Sequence, residues 1–302
     1  MLAIRHITTY RYARPVRIGT HRLMFRPRDS HDLRLLAATL TISPPAASIR
    51  WLHDVFGNSV AIAEFALDAT ELRFQSDITV EHYAIDYPDF PIEPYARTYP
   101  FSYSNNEFPD LARTIERHYA DPGHKVDTWA RQFATPERGA ATGLVDTQSM
   151  LERMMWAIKT DFTYVARDVE GTQRPVDTLT LGQGSCRDFS LLMIEAVRSL
   201  GLAARFVSGY QYDPAADLGA AGTPGTGSTH AWVQIYLPGA GWVEFDPTNA
   251  IVGGKDLIRV AVARDPQQAV PLTGEWIGAA DDYLGMEVSV FVTANVAAPE
   301  VP

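Results

Sequence analysis

Residues 182–189 read GQGSCRDF and lead directly into an amphipathic run. The stretch contains Cys186, the only cysteine among 302 residues. Apolar residues then recur near helical spacing, and Gly201 follows as a natural C-terminal stop. We therefore predict a helix that begins near Cys186 and ends before Gly201. The apolar positions are Phe189, Leu192, Val197 and Leu200, with Leu191 and Ile194 widening the surface.

Two polar residues stand at element boundaries further along the chain. His230 precedes the strand pattern of residues 231–237, and Asp246 follows that of residues 241–245. A short hairpin would make these strands antiparallel neighbours, which predicts that His230 and Asp246 lie close together at one end of a sheet. One thiol, one imidazole and one carboxylate form the set that a thiol acyl-transfer enzyme needs.

The start of a helix suits a reactive thiol, because the thiolate is the reactive form of cysteine. The partial positive charge of the first helical N–H groups and an imidazolium at His230 would both stabilise a Cys186 thiolate. The N–H of Cys186 could also donate to an oxyanion. We expect Gly182 and Gly184 to allow a sharp turn and to leave room for a substrate.

Each of these residues also has an ordinary structural interpretation. A lone cysteine is often a small buried packing residue. A histidine is more often a surface residue or a satisfied core residue than a catalytic one. An aspartate before proline, such as Asp246, commonly initiates a turn. The prediction of a catalytic site therefore depends on the three residues occurring together.

Composition and charge describe a globular protein of one large or two medium domains. The chain is 46% hydrophobic and 21% charged, with a net charge of −10 and a pI near 5.2. We do not expect nucleic acid as a partner, because phosphate contacts need clustered Lys and Arg. A single cysteine cannot form an internal disulfide. Without a signal-peptide pattern or an apolar run of roughly 18 residues, we expect a cytoplasmic protein that does not enter a membrane.

The first eighty residues have the alternation of β-strands, with a turn signal at 54–58. Several short strands separated by turns predict a small β-sandwich. A stretch rich in Pro, Tyr and Phe follows, and we place a domain boundary near residue 95. The strand-like segments are 2–10, 36–42, 59–65 and 72–82.

Helical signals begin after this boundary, at residues 109–119 and 126–133, and Asp146-Thr147 is a candidate cap for a third helix. A further strand is predicted at residues 203–211. Residues 215–228 are rich in Gly, Ala and Pro, and we expect a mobile loop that leads to His230. The fold class is therefore α+β. The predicted parts are an N-terminal β-sandwich domain at 1–95, a core of helices packed on an antiparallel sheet at 96–293, and a C-terminal tail at 294–302.

Several stretches together resemble the core of the transglutaminase-like superfamily, whose catalytic core is papain-like. The first part resembles the N-terminal β domain of the bacterial branch of that superfamily. The resemblance implies that Cys186 is the nucleophile, His230 the proton shuttle and Asp246 the carboxylate that orients the imidazole. The core stretches are GSCRDF at 184–189, ARFVSGY at 204–210, HAW at 230–232 and GWVEFDPT at 241–248; those of the first part are HITTYRY at 6–12 and DVFGN at 54–58.

The resemblance also implies a mechanism. The Cys186 thiolate attacks an amide carbonyl, a thioester forms, His230 protonates the departing amine, and water or a second amine resolves the thioester. A second oxyanion donor is expected besides the backbone. Tyr164 is the candidate by analogy with an upstream Trp in animal transglutaminases, and Gln183 is its rival by analogy with an upstream Gln in papain-like proteases.

No metal or cofactor is expected. His118 and His124 have no Cys or acidic partner at zinc-like spacing. Animal transglutaminases respond to calcium, but no calcium-loop pattern occurs in this sequence. Trp232 and Trp242 are expected to be packing residues that could also form a wall of the site.

Three functions are compatible with these residues. The preferred one is hydrolysis of peptide or glutamine amide bonds, the activity of a cysteine protease or amidase, because a transferase must suppress hydrolysis and no residue pattern shows how. The alternatives are a protein-glutamine amine acyltransferase (a transglutaminase) and a non-catalytic protein-binding module that keeps the fold. The expected partner is a peptide or protein substrate, and the oligomeric state stays open.

Overall fold

The computed structural model of the protein describes residues 1–83, 90–136, 144–166, 171–217, 222–223 and 227–294. Two large sheets with antiparallel pairing dominate this part of the chain, and helices pack on one of them. The predicted α+β class is therefore confirmed.

A seven-stranded sheet contains the N-terminal strands. Side chains of the fifth strand alternate between buried and part-exposed from Leu72 to Val80, which is the period of two that predicts a strand. The third strand was not predicted, because its residues are nearly all exposed and no buried face imposes a pattern. The other four strand predictions are confirmed. The strands are β1 (Leu2–Leu23), β2 (Leu33–Ser43), β3 (Ser48–His53), β4 (Ser59–Glu64) and β5 (Asp68–His82).

The helices form the middle of the chain, and the fifth of them is central. Nearly all of its residues are buried, so it has no solvent face, as expected of a core helix. The predicted cap of the third helix is confirmed, since the Asp146 side chain accepts a hydrogen bond from the Ser149 N–H. The helices are α1 (Phe108–Ile115), α2 (Lys125–Phe133), α3 (Thr147–Asp161), α4 (Pro175–Leu181), α5 (Cys186–Ser199) and the short α6 (Pro214–Asp217).

The core sheet has five antiparallel strands, which lie between residues 204 and 263. Ala231, Val233, Ile235 and Leu237 alternate along one strand and join α5 in one hydrophobic cluster. Two small pairs of strands flank this sheet: β6 (Thr98–Tyr99) with β7 (Val145–Asp146), and β8 (Thr163–Tyr164) with β9 (Gln183–Gly184). The core strands are β10 (Ala204–Gln211), β11 (His230–Leu237), β12 (Gly241–Asp246), β13 (Ile251–Val252) and β14 (Leu257–Ala263). Their order in the sheet is β13-β12-β11-β10-β14.

The last two strands return to the N-terminal sheet. β15 (Leu272–Ile277) pairs with the second half of β1, and β16 (Tyr283–Ala294) pairs with its first half. The sequence analysis had assigned these residues to a core at 96–293, whereas their pairing completes the β domain. Leu2 opposite Ala294 is a contact between the two ends of the described chain, and local patterns carry no information about such pairing.

Both halves of β1 contribute to one interior. Leu72 and Phe74 of β5 share a hydrophobic cluster with Ala61 and Ala63 of β4, although β5 pairs with the first part of β1 and β4 with its end. The predicted sandwich is thus realised as one hydrogen-bonded sheet that folds over this cluster along β1.

The turn at residues 54–58 joins the β domain to the core sheet. Asp54 Oδ1 accepts hydrogen bonds from the N–H groups of Phe56 and Asn58, which fixes the turn. The Asn58 side chain then donates to the Val262 carbonyl at 2.7 Å and accepts from the Val262 N–H at 2.9 Å. This amide therefore pairs with the backbone of β14, as a neighbouring strand would.

The buried ion pair of α5 supports a stability prediction. Glu195 and Arg198 are 3.0 Å apart with no side-chain exposure, and the guanidinium also donates to the carbonyls of Ala204 and Arg264. Glu195→Ala would leave a buried cation without its carboxylate, and we expect the free energy of unfolding to fall by about 3–5 kcal/mol in denaturant titrations. Glu116→Ala, which breaks an exposed pair with Arg113, is the control and should change it far less. Equal losses in the two variants would contradict the prediction.

Candidate active site

The start of α5 holds Cys186 in place. Ser185 caps the helix with an extended backbone, φ −88° and ψ 175°. Asp188 Oδ2 accepts hydrogen bonds from the N–H and from the hydroxyl of Ser185, each at 2.8 Å, while Oδ1 accepts the Gln173 N–H at 2.6 Å. Because Asp188 is completely buried, these bonds fix the first turn and thereby the direction of the thiol.

The two glycines before Cys186 have different roles. Gly182 ends α4 in the left-handed region, at φ 61°, where other residues are strained. Gly184 is needed for close packing, since a Cβ there would lie 2.8 Å from the Cβ of Asp188. The expected sharp turn is thus confirmed at Gly182, whereas the space beside Gly184 is occupied by Asp188.

The hairpin of β11 and β12 brings His230 and Asp246 together. His230 is the first residue of β11 and Asp246 the last of β12, and the two strands pair antiparallel. His230 Nε2 lies 2.8 Å from Asp246 Oδ2, and neither side chain is exposed to solvent. The structure therefore shows the proximity that the hairpin geometry predicts.

Asp246 is held by the turn that follows it. Its Oδ1 accepts the backbone N–H groups of Thr248 at 2.8 Å and Asn249 at 3.3 Å. The Asn249 amide donates to Oδ2 at 3.1 Å and also to Gln211 Oε1 of β10 at 3.0 Å. The carboxylate is thus both the turn initiator that an Asp-Pro sequence suggests and the partner of His230.

Charge and burial act on the imidazole in opposite directions. Burial lowers the pKa of His230, but the charge and hydrogen bond of Asp246, together with Cys186, outweigh it and raise the pKa to about 10. Burial raises the pKa of Asp246, yet His230 and the donors of the following turn lower it below its usual value. At neutral pH the pair is therefore an imidazolium and a carboxylate.

The thiol is the second neighbour of the imidazole. Cys186 raises the pKa of His230, as Asp246 does. His230 Nδ1, the nitrogen that Asp246 does not use, is buried and has no hydrogen-bond partner within the described part of the chain. The ring thus lies between the carboxylate at Nε2 and the thiol.

Of the two candidates for an oxyanion donor, Tyr164 is electrostatically coupled to the thiol. It lies opposite Gly184 in the parallel pair of β8 and β9. Burial, followed by the charges of Cys186, Asp188 and Asp246, raises its pKa to about 12, so the hydroxyl keeps its proton at neutral pH. Gln183 also lies on β9, but it is exposed, and its carbonyl accepts a hydrogen bond from the Gln173 side chain.

The two tryptophans that were expected to pack lie in different places. Trp232 stacks on His230, with ring centroids 6.0 Å apart and planes inclined by 29°, and its Nε1 donates to Glu244 at 2.8 Å. It therefore forms one wall of the imidazole site. Trp242 instead packs against the Arg205 guanidinium, at 4.0 Å from the ring centroid.

Arg187, next to the thiol in the sequence, has no role among those predicted from the sequence. Burial lowers the pKa of Arg187, while the charges of Cys186 and Asp188 act in the opposite direction, so its guanidinium is a part-buried cation near the thiol. Asn249 and Gln211, which orient Asp246, were likewise not assigned. Only Arg187 had a signal in the sequence, namely its place directly after the cysteine.

The described residues contain no group of three or more His, Cys, Asp or Glu side chains placed to hold a metal ion. No helix in the same residues is long and apolar enough to cross a membrane.

A helix that begins with a thiol and packs on an antiparallel sheet carrying a His–Asp pair defines a papain-like, transglutaminase-like core. Comparison with known families agrees with this class. The bacterial transglutaminase-like N-terminal region matches residues 2–81, and the transglutaminase-like superfamily matches residues 131–247. Residues 131–247 therefore belong to the transglutaminase-like superfamily, and residues 2–81 match the N-terminal region of its bacterial branch.

Similar proteins extend over nearly the whole chain. An uncharacterized protein of Mycobacterium tuberculosis is 29% identical over 280 residues, which cover 90% of this chain and 86% of the relative. An uncharacterized protein of Mycobacterium leprae is 25% identical over 291 residues, 96% of this chain and 98% of the relative. A crystal structure from Cytophaga hutchinsonii, named as a candidate cysteine protease, has a TM-score of 0.69 at 19% identity and covers 99% of this chain and 92% of its own. At that identity the likeness shows the fold.

Proposed function

We propose that the protein is a thiol enzyme that cleaves peptide or glutamine amide bonds through a thioester intermediate. Cys186 is the nucleophile, His230 the general acid and base, and Asp246 the orienting carboxylate. The observation that carries the proposal is the buried imidazole placed between a carboxylate at 2.8 Å and the thiol at the start of α5. Membership of the superfamily supports it.

The reaction follows from this arrangement. The Cys186 thiolate forms a bond to the carbonyl carbon, and the negative charge moves to the carbonyl oxygen. Cys186 is the first residue of α5, so its N–H has no acceptor within the helix. This N–H is therefore available to that oxygen. His230 gives its proton to the nitrogen, the C–N bond breaks and an amine leaves. His230 then takes a proton from water, which attacks the thioester and releases an acid and the thiol.

Positive charge is arranged around Cys186. The imidazolium of His230, the first turn of α5 and the guanidinium of Arg187 all lie near the sulfur. We include a cytoplasmic location in the proposal, because thiols stay reduced in that compartment.

The test separates hydrolysis from transfer. A library of glutamine-containing peptides is incubated with a labelled amine, and mass spectrometry follows both backbone or side-chain cleavage and incorporation of the label. We expect cleavage with little label, and neither product with Cys186→Ala. Label without cleavage would replace hydrolysis by amine transfer, and the absence of both products from the wild type would contradict the proposed catalysis.

Tyr164 gives a separate prediction. If its hydroxyl donates to the oxyanion, Tyr164→Phe lowers kcat about 10²-fold while KM changes little, since the bond strengthens only in the transition state. Steady-state kinetics on a cleaved peptide measure both constants. Tyr95→Phe, at an exposed tyrosine, is the control. An unchanged kcat in Tyr164→Phe would remove this residue from the site.

A further inference from the structure

A cavity of about 660 Å³ lies between the β domain and the core sheet. The loop after β1 and the turn at 54–58 line one side, and residues of β10, β11, β12 and β14 line the other. None of Cys186, His230 or Asp246 is among the lining residues. Its volume is within the range of small-molecule sites, about 300–1,000 Å³.

Arg205 reaches this cavity from β10 and is partly buried. Its pKa is lowered to about 10, mainly by burial; the charge of Glu244 acts against this shift, and the charges of Arg259 and Arg28 add to it. Its Nε donates to the amide oxygen of Gln234 at 2.7 Å, and its guanidinium lies over the Trp242 ring. A neutral amide and an aromatic face do not neutralise a partly buried cation.

The carboxylates of the cavity already have other partners. Glu244 accepts hydrogen bonds from Arg259, Trp232 and Gln234 at 2.7–2.8 Å. Asp32 lies 3.2 Å from Arg259.

Asp29, the third carboxylate of the lining, accepts the backbone N–H of Leu35. Within the described residues, no carboxylate oxygen is in ion-pair range of Arg205 or of Arg28, whose Nη1 donates to the Phe56 carbonyl.

We propose that this cavity binds a small organic carboxylate with an apolar or aromatic body. The free N–H groups of Arg205, assisted by Arg28, form a planar fork that matches a carboxylate. Phe56, Phe90 and Trp242 provide apolar walls for the body of the ligand. A single negative charge is favoured over a phosphate dianion, because three carboxylates also line the cavity.

Isothermal titration of the full chain tests the proposal with three matched probes: 4-fluorobenzoate, the neutral 4-fluorobenzamide and 4-fluorophenyl phosphate. We expect the benzoate to bind with a Kd of about 1 mM or lower, the phosphate to bind more weakly, and the benzamide to give no signal. Arg205→Gln should weaken benzoate binding about 10-fold or more, as loss of a charge-assisted hydrogen bond predicts. Arg50→Gln, at an exposed arginine outside the cavity, should leave it unchanged.

Arg28→Gln serves as a second variant in case Arg205→Gln does not fold, because Arg28 is at the surface. We expect it to weaken benzoate binding about 3-fold, since a solvated donor contributes less than a buried one. Any of four results would overturn the proposal: equal binding of benzoate and benzamide, tighter binding of the phosphate than of the benzoate, no benzoate signal at about 5 mM, or benzoate binding that neither arginine variant affects. None of these readouts depends on Cys186, so the result is independent of the proposed amide cleavage.

Discussion

Replacing His230 with alanine is expected to lower kcat/KM for amide cleavage by about 10³-fold, within the range for loss of a general acid–base group. The variant loses the proton donor for the departing amine and the cation beside the thiol. A second measurement needs no substrate. Alkylation of Cys186 by iodoacetamide near neutral pH should slow by about 10-fold or more, because less of the thiol is present as thiolate.

The matched control is His53→Ala, which removes an exposed histidine at the end of β3. It should leave both rates unchanged. Cys186 is only 6% exposed, so a small reagent such as iodoacetamide is the suitable probe. If Cys186 in folded His230→Ala protein were alkylated at the wild-type rate, the imidazole would not control the thiol. That result would support the alternative of a non-catalytic binding module.

The sequence predicts this site well because each residue is placed by local structure. The period of apolar residues after Cys186 predicts α5, and the short connection after β11 forces β12 to run back beside it. The hairpin alone then puts His230 and Asp246 at one end of the sheet. Neither the helix nor the hairpin needs long-range information. The packing of α5 on the sheet does need it, and the family resemblance implied that packing.

The parts that the sequence did not predict depend on contacts between distant residues. β16 belongs to the β domain because it pairs with the first half of β1, and the sequence analysis placed it in the core instead. The cavity around Arg205 requires the loop after β1 to lie against β10 and β12. Most of the predicted loop at 215–228 falls outside the described residues, so its mobility stays a prediction.

Asp246→Asn tests the electrostatic part of the site. In the wild type the pKa of His230 is raised to about 10, so the imidazolium needed for protonation of the amine persists through neutral pH. The amide of the variant carries no charge, and burial then acts on the ring with much weaker opposition. We expect the alkaline limb of the pH–rate profile to move down toward the ordinary histidine value of 6.5, with about a 10²-fold lower rate near pH 8.

The same pair predicts how stability depends on pH. The raised pKa of His230 gives stabilisation that is complete below its ordinary value of 6.5 and is lost as pH rises through about 10. The lowered pKa of Asp246 gives stabilisation that is present above its ordinary value of 3.8 and is lost at lower pH. Denaturant titrations of the wild type and Asp246→Asn should therefore differ most between these two ordinary values, and the part of the difference that the imidazolium supplies should vanish toward pH 10. A constant difference across this range would show that Asp246 acts through the hydrogen bonds of its turn, to Thr248 and Asn249, rather than through the imidazolium.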